Sequence, residues 1–376
     1  MKITSAEVLL TRVPTVRSHR MSFATTRNQE CVYLRLRTDE GIVGLGEAPH
    51  MAGFSGAGET QASVALQLRE RLLPAIFGKD PRQIEARQLD MERALPWNPR
   101  AKSAVNIALY DIAGKALNTP AYNLLGGLVR DRIPLSWSIP ITDHEHAEQD
   151  AEMALARGIR ILKMKTGHED PEHDIERTRR VRAVAGDAVR LRADANQAWD
   201  VNTAIYVINA LAGSGLEFME QPVKVRDLDG MAEVRRATNT YIMADESANS
   251  PRDVFELARK RACDLISIYI NNGGGIINAK KMAIVAEPAD IGCYVGGALE
   301  GAIASRACLH FAAATPNVTW GCEMGGQFLL EADLGAEPVA FEDGALVVPH
   351  GPGLGGDLDP DKVRRYQSDA FEVHPD

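Results

Sequence analysis

The 376-residue sequence is poor in the features that would give a quick answer. Its five cysteines, Cys31, Cys263, Cys293, Cys308 and Cys322, are odd in number, scattered and free of any CxxC spacing. They indicate neither a disulfide framework nor a zinc site, and buried free thiols are the expectation. No apolar run reaches the roughly 18 residues that a membrane span needs, and the opening MKITSAEVLL has no cleavable-signal pattern. A soluble, cytoplasmic protein is expected. Positive charge is scarce: the formal balance is −9, which argues against non-specific nucleic-acid binding. A small acidic substrate remains compatible with that balance where cations are concentrated locally.

What the chain does hold is apolar material, 45% of it, enough for one large domain or two smaller ones. Residues 31–46, CVYLRLRTDEGIVGLG, alternate as two strands around a turn at Asp39-Glu40-Gly41. From about 57 to 126 the apolar spacing becomes helical, giving an α+β N-terminal unit. After Gly127, short apolar runs recur: IPLSWSI, IRILKMK, VRLRAD, LEFMEQ, TYIMADE, DLISIYI, IGCYVG and NVTWGC, with amphipathic helical stretches between them. Eight such runs at the pitch of a βα unit predict a closed parallel barrel, whose active site sits at the C-terminal strand ends. An open doubly wound sheet fits the same alternation, but its glycine-rich nucleotide loop is missing.

Three of these runs end in acids: Asp194, Glu220 and Asp245, spaced 26 and 25 residues apart. Each alone could cap the helix that follows. In register they converge on one rim, where unpaired they repel, and a divalent cation such as Mg²⁺ resolves the repulsion with hard oxygen ligands. Mn²⁺ is the substitute to expect. One run earlier, ILKMK places Lys163 and Lys165 on the same strand face. A carboxylate held by the metal has an acidified α-proton, and the crowding of two ammonium groups beside a cation is expected to lower a lysine's pKa toward that of a working base.

The motifs KMK, DAN, EQP, DES and NNGGGI, with DEGIVGLGEAP, AKSAVNIALYDIAGK and PAYNLLGG upstream, together resemble the enolase superfamily, and within it the muconate lactonizing enzyme subgroup, over essentially the whole chain. The resemblance implies a modified (β/α)7β TIM-type barrel over residues 129–344. It also implies an α+β N-terminal capping domain over 1–128, with the C-terminal segment 345–376 packed on it. It implies a metal on Asp194, Glu220 and Asp245, acid/base work by Lys165 with help from Lys163, supporting positions at Asn196 and Glu246, a pocket-facing Glu300, and a homo-oligomer. The mandelate racemase subgroup is disfavoured, because its late histidine base has no counterpart in IGCYVGGALEG.

One position departs from the pattern. Tyr269 stands where most subgroup members carry a second lysine, at the end of the sixth strand, and Lys280 and Lys281 fall too late to replace it. A phenol of pKa near 10 is a poor base at neutral pH, so two-base racemisation is in doubt while one-lysine chemistry survives. Family selectivity lies in the capping loops, where Arg17, His19, Arg20 and Phe23, then His50, Met51 and Phe54, are the candidates; an arginine or histidine there suits a second carboxylate. The expectation is an isomerase or lyase working through an enolate-like intermediate on a small carboxylate, foremost a muconate-type cycloisomerase. Alternatives are a syn-dehydratase of a hydroxy acid, an epimerase of an amino-acid derivative and, outside that chemistry, an inactive ligand-binding relative.

Overall fold

The computed structural model describes residues 1–51 and 58–375, without the side chain of Met51; Phe54 lies outside the described residues. The chain opens with β1 (Ile3–Arg20), β2 (Thr25–Thr38) and β3 (Val43–Met51), an antiparallel meander. The expected turn is present, with Gly41 in the left-handed region at φ 79°. Alternation along β2 serves two cores rather than one. Val32, Leu34 and Leu36 pack with the N-terminal helices, while Cys31 and Tyr33 join the cluster that runs into the barrel.

The same period explains GIVGLGEAP. Gly44 and Gly46 face the helix Pro99–Ala116, and a Cβ on either would run into the carbonyl oxygens of Ala108 and Ala104. The strand and helix backbones can therefore approach closely. That helix starts with proline at its first position and is buried on all sides from Arg100 to Gly114. Glu47, on the opposite face of β3, accepts from the N–H groups of Gly301, Ile303 and Ala304 at 2.6, 3.1 and 2.9 Å. It thereby caps the helix Ala302–Ala313 of the barrel. Burial pushes its pKa up to about 7, against the pull of those donors.

The barrel run IPLSWSI divides in two. Pro134 has no N–H for a continuous ladder, so β4 (Arg132–Pro134) turns aside and β5 (Trp137–Ile139) begins the barrel. Then follow β6 (Ile161–Lys165), β7 (Arg190–Asp194), β8 (Leu216–Glu220), β9 (Tyr241–Ala244), β10 (Leu265–Ile268), β11 (Gly292–Val295) and β12 (Val318–Cys322), parallel and in sequential order, with a helix after each of the first seven barrel strands. Ser136 N–H donates to the Cys322 carbonyl at 2.8 Å beside a parallel bridge of Leu135 to Cys322, which closes the ring. This is the expected (β/α)7β barrel with an N-terminal antiparallel unit. Beyond it, β13 (Phe341–Glu342) and β14 (Ala345–Val347) build on β4, and β15 (Gln367–Val373) pairs antiparallel with β1. All five cysteines are free and buried. Among the described residues no helix is long and apolar enough to cross a membrane.

The glycine argument makes a prediction. Gly46→Ala should cost about 1–3 kcal/mol through forced backbone displacement, seen as a lower thermal unfolding midpoint. Gly213→Ala, where an added Cβ meets nothing, should leave the midpoint in place.

Candidate active site

Parallel register places the charged side chains. Lys165 on β6 pairs with Asp194 on β7, and Asp194 with Glu220 on β8, so three strand ends present charge at one level. Asp245 follows β9 by one residue. Ligand atoms of Asp194, Glu220 and Asp245 lie within 4.8 Å of one another, and all three residues are buried. The β6 end is fixed from outside: Arg177, buried on the helix Pro171–Ala185, donates to the Lys165 carbonyl, to the Pro140 carbonyl and to Asp174. Past β7, Asn196 and Gln197 are both left-handed, at φ 43° and 66°, strain of a kind that gathers at functional sites.

The two lysines are unequal. Lys163 is sealed from solvent and lies 2.8 Å from Glu220, 2.5 Å from Glu323 and 3.5 Å from Asp194. Lys165 has one carboxylate partner, Asp194 at 2.5 Å, and keeps 7% of its side chain exposed. It lines a cavity of about 30 Å³ together with His19, Ser138, Leu299 and Glu323. The expected lowering of the lysine pKa values supposed a second ammonium and a cation; the carboxylates pull the other way. Burial pulls both down most strongly, but Glu220, Glu323 and Asp194 together outweigh it at Lys163, and Asp194 with Glu323 and Glu220 together outweigh burial and the neighbouring ammonium at Lys165, so both are raised. The acids respond in turn. Burial lifts Glu220 to about 8, aided by Asp194 and Glu323, and lifts Asp245 well above the usual carboxylate range, aided by Glu246 and Glu220. Asp194 alone of the three is held below its ordinary value, burial being overcome by Lys165 and Lys163.

The residues fit a hard divalent cation. Glu220 Oε1 and Asp245 Oδ2 are buried with no hydrogen-bond partner, and so are Asn196 Oδ1 and Glu246 Oε2 beside them. Unsatisfied oxygens in a group of clustered carboxylates suit a metal better than a closed hydrogen-bond network. Asn196 supports the cluster: its N–H donates to Asp194 at 2.8 Å and its amide to Glu246 at 3.3 Å.

Tyr269 comes directly after β10, is buried, and has its ring against Gly296, where a Cβ would collide with it. Burial, then the charges of Asp245 and Glu220, push its pKa well above the normal phenol value. Glu300 turns back on its own loop, both oxygens accepting from Ala298 N–H at 2.9 and 2.8 Å, and burial lifts it to about 8. Of the lid residues, His19 reaches the cavity, 3.4 Å from Ser138 Oγ, and is kept neutral by burial and by Lys165. Arg17 is taken up by Asp150 at 2.9 Å and the Ser138 carbonyl at 3.0 Å. Arg20 is exposed, and His50 is buried apart from the cavity that Lys165 lines. Glu323 was not among the expected residues. Its signal was its place directly after the NVTWGC run, the same strand-end position that marks the other acids.

A capped parallel barrel with carboxylates on successive strand ends and two lysines on the strand before them defines a class of enzyme that handles acidic carbon–hydrogen bonds. Comparison with known proteins places the chain within that class. The mandelate racemase/muconate lactonizing enzyme N-terminal domain matches residues 5–126, and the enolase C-terminal domain-like family matches residues 145–362. Over 367 residues the chain is 36% identical to the chloromuconate cycloisomerase of Cupriavidus necator, covering 97% of this chain and 99% of the relative. It is also 36% identical over 357 residues to the L-Ala-D/L-Glu epimerase of Bacillus subtilis, covering 94% and 96%. The solved muconate lactonizing enzyme from Pseudomonas fluorescens complexed with muconolactone superposes with a TM-score of 0.95 at 34% identity, over 97% of this chain and 99% of that one. The chain belongs to the enolase superfamily of enzymes, in its muconate lactonizing group.

The carboxylate cluster gives a second prediction. Lys163→Met removes the ammonium that Glu220 and Glu323 share, and should cost about 3–5 kcal/mol in metal-free buffer. Denaturant unfolding measures the loss, and a midpoint equal to the wild type would show that Lys163 is not the neutralising charge.

Proposed function

We propose that the protein is a Mg²⁺-dependent enzyme that moves one proton at the carbon beside a substrate carboxylate, with Lys165 as the proton carrier and Lys163 as a fixed charge behind it. The observation that carries this reading is the inequality of the lysines: Lys163 is sealed among carboxylates, whereas Lys165 reaches the cavity. Asp194, Glu220 and Asp245 would hold the metal, with Mn²⁺ as an alternative on the same oxygens. Bound there, the cation supplies positive charge that stabilises the anion left when an α-proton departs and relieves the lysines of the carboxylates' pull.

Lys165, as ammonium, gives its proton to the α-carbon at the end of an addition, and as amine takes it in the reverse direction. Cycloisomerisation of a muconate-type diacid needs one such carrier on one face, and cycloisomerase is the activity named for the relative matched over nearly its whole length. A second reading, syn-dehydration of a hydroxy acid, is favoured by Tyr269, a buried phenol directly after β10 whose hydroxyl is a suitable donor to a leaving hydroxyl. Epimerisation ranks third, because it needs a base on the opposite face. Lys280 is occupied by the Ala314 carbonyl and Lys281 by Glu85 at 3.1 Å. In this reading the capping unit, 1–128 with 345–376, selects the substrate and the barrel, 129–344, performs the proton transfer. Homo-oligomeric assembly and a cytoplasmic location are carried over from the family.

Proton NMR in D₂O with Mg²⁺ and a panel of muconates, hydroxy acids and acyl amino acids tests the reading. Deuterium should enter one α-position with lactone or dehydrated product, and Lys165→Ala should lower the rate about 10²–10⁴-fold without loss of fold. Full activity in that variant sinks the mechanism. EDTA should abolish turnover and added Mg²⁺ restore it; activity that survives EDTA and is trapped by borohydride would move the protein to Schiff-base chemistry.

A further inference from the structure

Arg100, in the first turn of the helix Pro99–Ala116, is fully buried. Its Nε donates to Asn272 Oδ1 at 3.1 Å and its Nη1 to the Pro49 carbonyl at 2.9 Å. Nη2 is buried with no hydrogen-bond partner among the described residues. Glu59 accepts the backbone N–H groups of Arg100 and Ala101 at 2.8 and 3.3 Å, and its charge acts on the guanidinium, which forms no direct salt bridge among the described residues. Residues 52–57, AGFSGA, contain no acid that could serve. A buried cation with no direct ion pair among the described residues and one N–H group unpaired is expensive, and each such group requires an explanation.

Its neighbours share the deficit. Asn271 Oδ1 accepts from Ser103 Oγ at 3.0 Å, which orients the amide, yet Asn271 Nδ2 is buried and unpartnered. His50 follows Pro49; apart from a loose approach to the Ala48 carbonyl, neither ring nitrogen has a partner. Burial and the charge of Arg100 keep it neutral, so it does not compete as a cation. Asn271 and Asn272 lie two and three residues past Tyr269, and Tyr269 and Glu300 are close enough to Arg100 to act on it electrostatically. Unfilled donors therefore gather where the helix Pro99–Ala116 meets the loop after β10, whereas the lid cation Arg17 is already paired and Arg20 faces solvent.

We propose that Arg100 Nη2 and Asn271 Nδ2 anchor a second carboxylate of the substrate, making Arg100 the specificity-determining cation for diacids. A carboxylate there would accept charge-assisted bonds from the guanidinium and complete the amide's hydrogen bonding. The inference rests on the proposed function for which end of the diacid reacts, since the first carboxylate is assigned to the Asp194, Glu220 and Asp245 centre.

The test is calorimetric binding to the Mg²⁺-loaded wild type, using straight-chain saturated diacids from succinate to suberate, each paired with the monoacid of equal length. One diacid should bind at least about 30-fold more tightly than its monoacid. Arg100→Gln should bring that pair within about 2-fold by weakening the diacid alone, and Arg100→Lys should restore part of the preference. Asn271→Asp places a carboxylate in the cluster with no change in heavy-atom count and should remove the preference in the same way, so it decides the matter should Arg100→Gln not fold. Equal affinities of diacid and monoacid across the wild-type series overturn the proposal, as does a folded variant that keeps the preference or weakens both acids equally. Failure of the one-lysine mechanism would appear separately, as proton exchange that persists in Lys165→Ala.

Discussion

The barrel mouth is organised around a shortage of positive charge. Asp194, Glu220, Asp245, Glu246 and Glu323 are all buried near one another, and among the described residues only Lys163 and Lys165 pair with them. Placing like charges together away from water is unaffordable unless protons or cations intervene, and the raised pKa values of Glu220 and Asp245 express that imbalance. The rest of the site follows from how it is met. Lys163 is committed to neutralisation, the free oxygens of Glu220 and Asp245 suit a metal, and Lys165 is left as the lysine that reaches the cavity.

Holding that cluster at one level requires a barrel whose strand ends stay in register and a cap that stays seated. Register comes from parallel pairing of Lys165, Asp194 and Glu220, and the Lys165 end is pinned by Arg177 from the neighbouring helix. Seating comes from β3, a strand with two faces of different purpose: glycines toward the helix Pro99–Ala116, and Glu47 toward the helix Ala302–Ala313. The cap is therefore not an interchangeable lid, because one of its acids satisfies backbone donors that belong to the barrel.

Much of this was legible from residues alone, for identifiable reasons. Asp194, Glu220 and Asp245 each end an apolar run at one βα pitch, so periodicity found the strands and their ends together. Glu323 obeys the same rule but escaped, because the run before it was read only as a strand and the residue after it was not considered. Partners that come from distant segments were not legible: nothing near Arg17 in sequence announces Asp150, and nothing near Arg100 announces Asn272. The carboxylates' pull on the lysines was not legible for a related reason. The expectation weighed ammonium against ammonium and a cation, whereas the barrel sets Lys163 among three carboxylates.

Tyr269 and Gly296 form a matched pair, flat ring against bare backbone, and the close fit leaves no room for even a methyl group. A lysine in place of Tyr269 would leave that slot unfilled, and any side chain in place of Gly296 would expel the ring. An amine at this strand end would therefore need a compensating change at Gly296 to restore the packing. Close packing ties the two positions together, so that neither changes alone without a loss of fit.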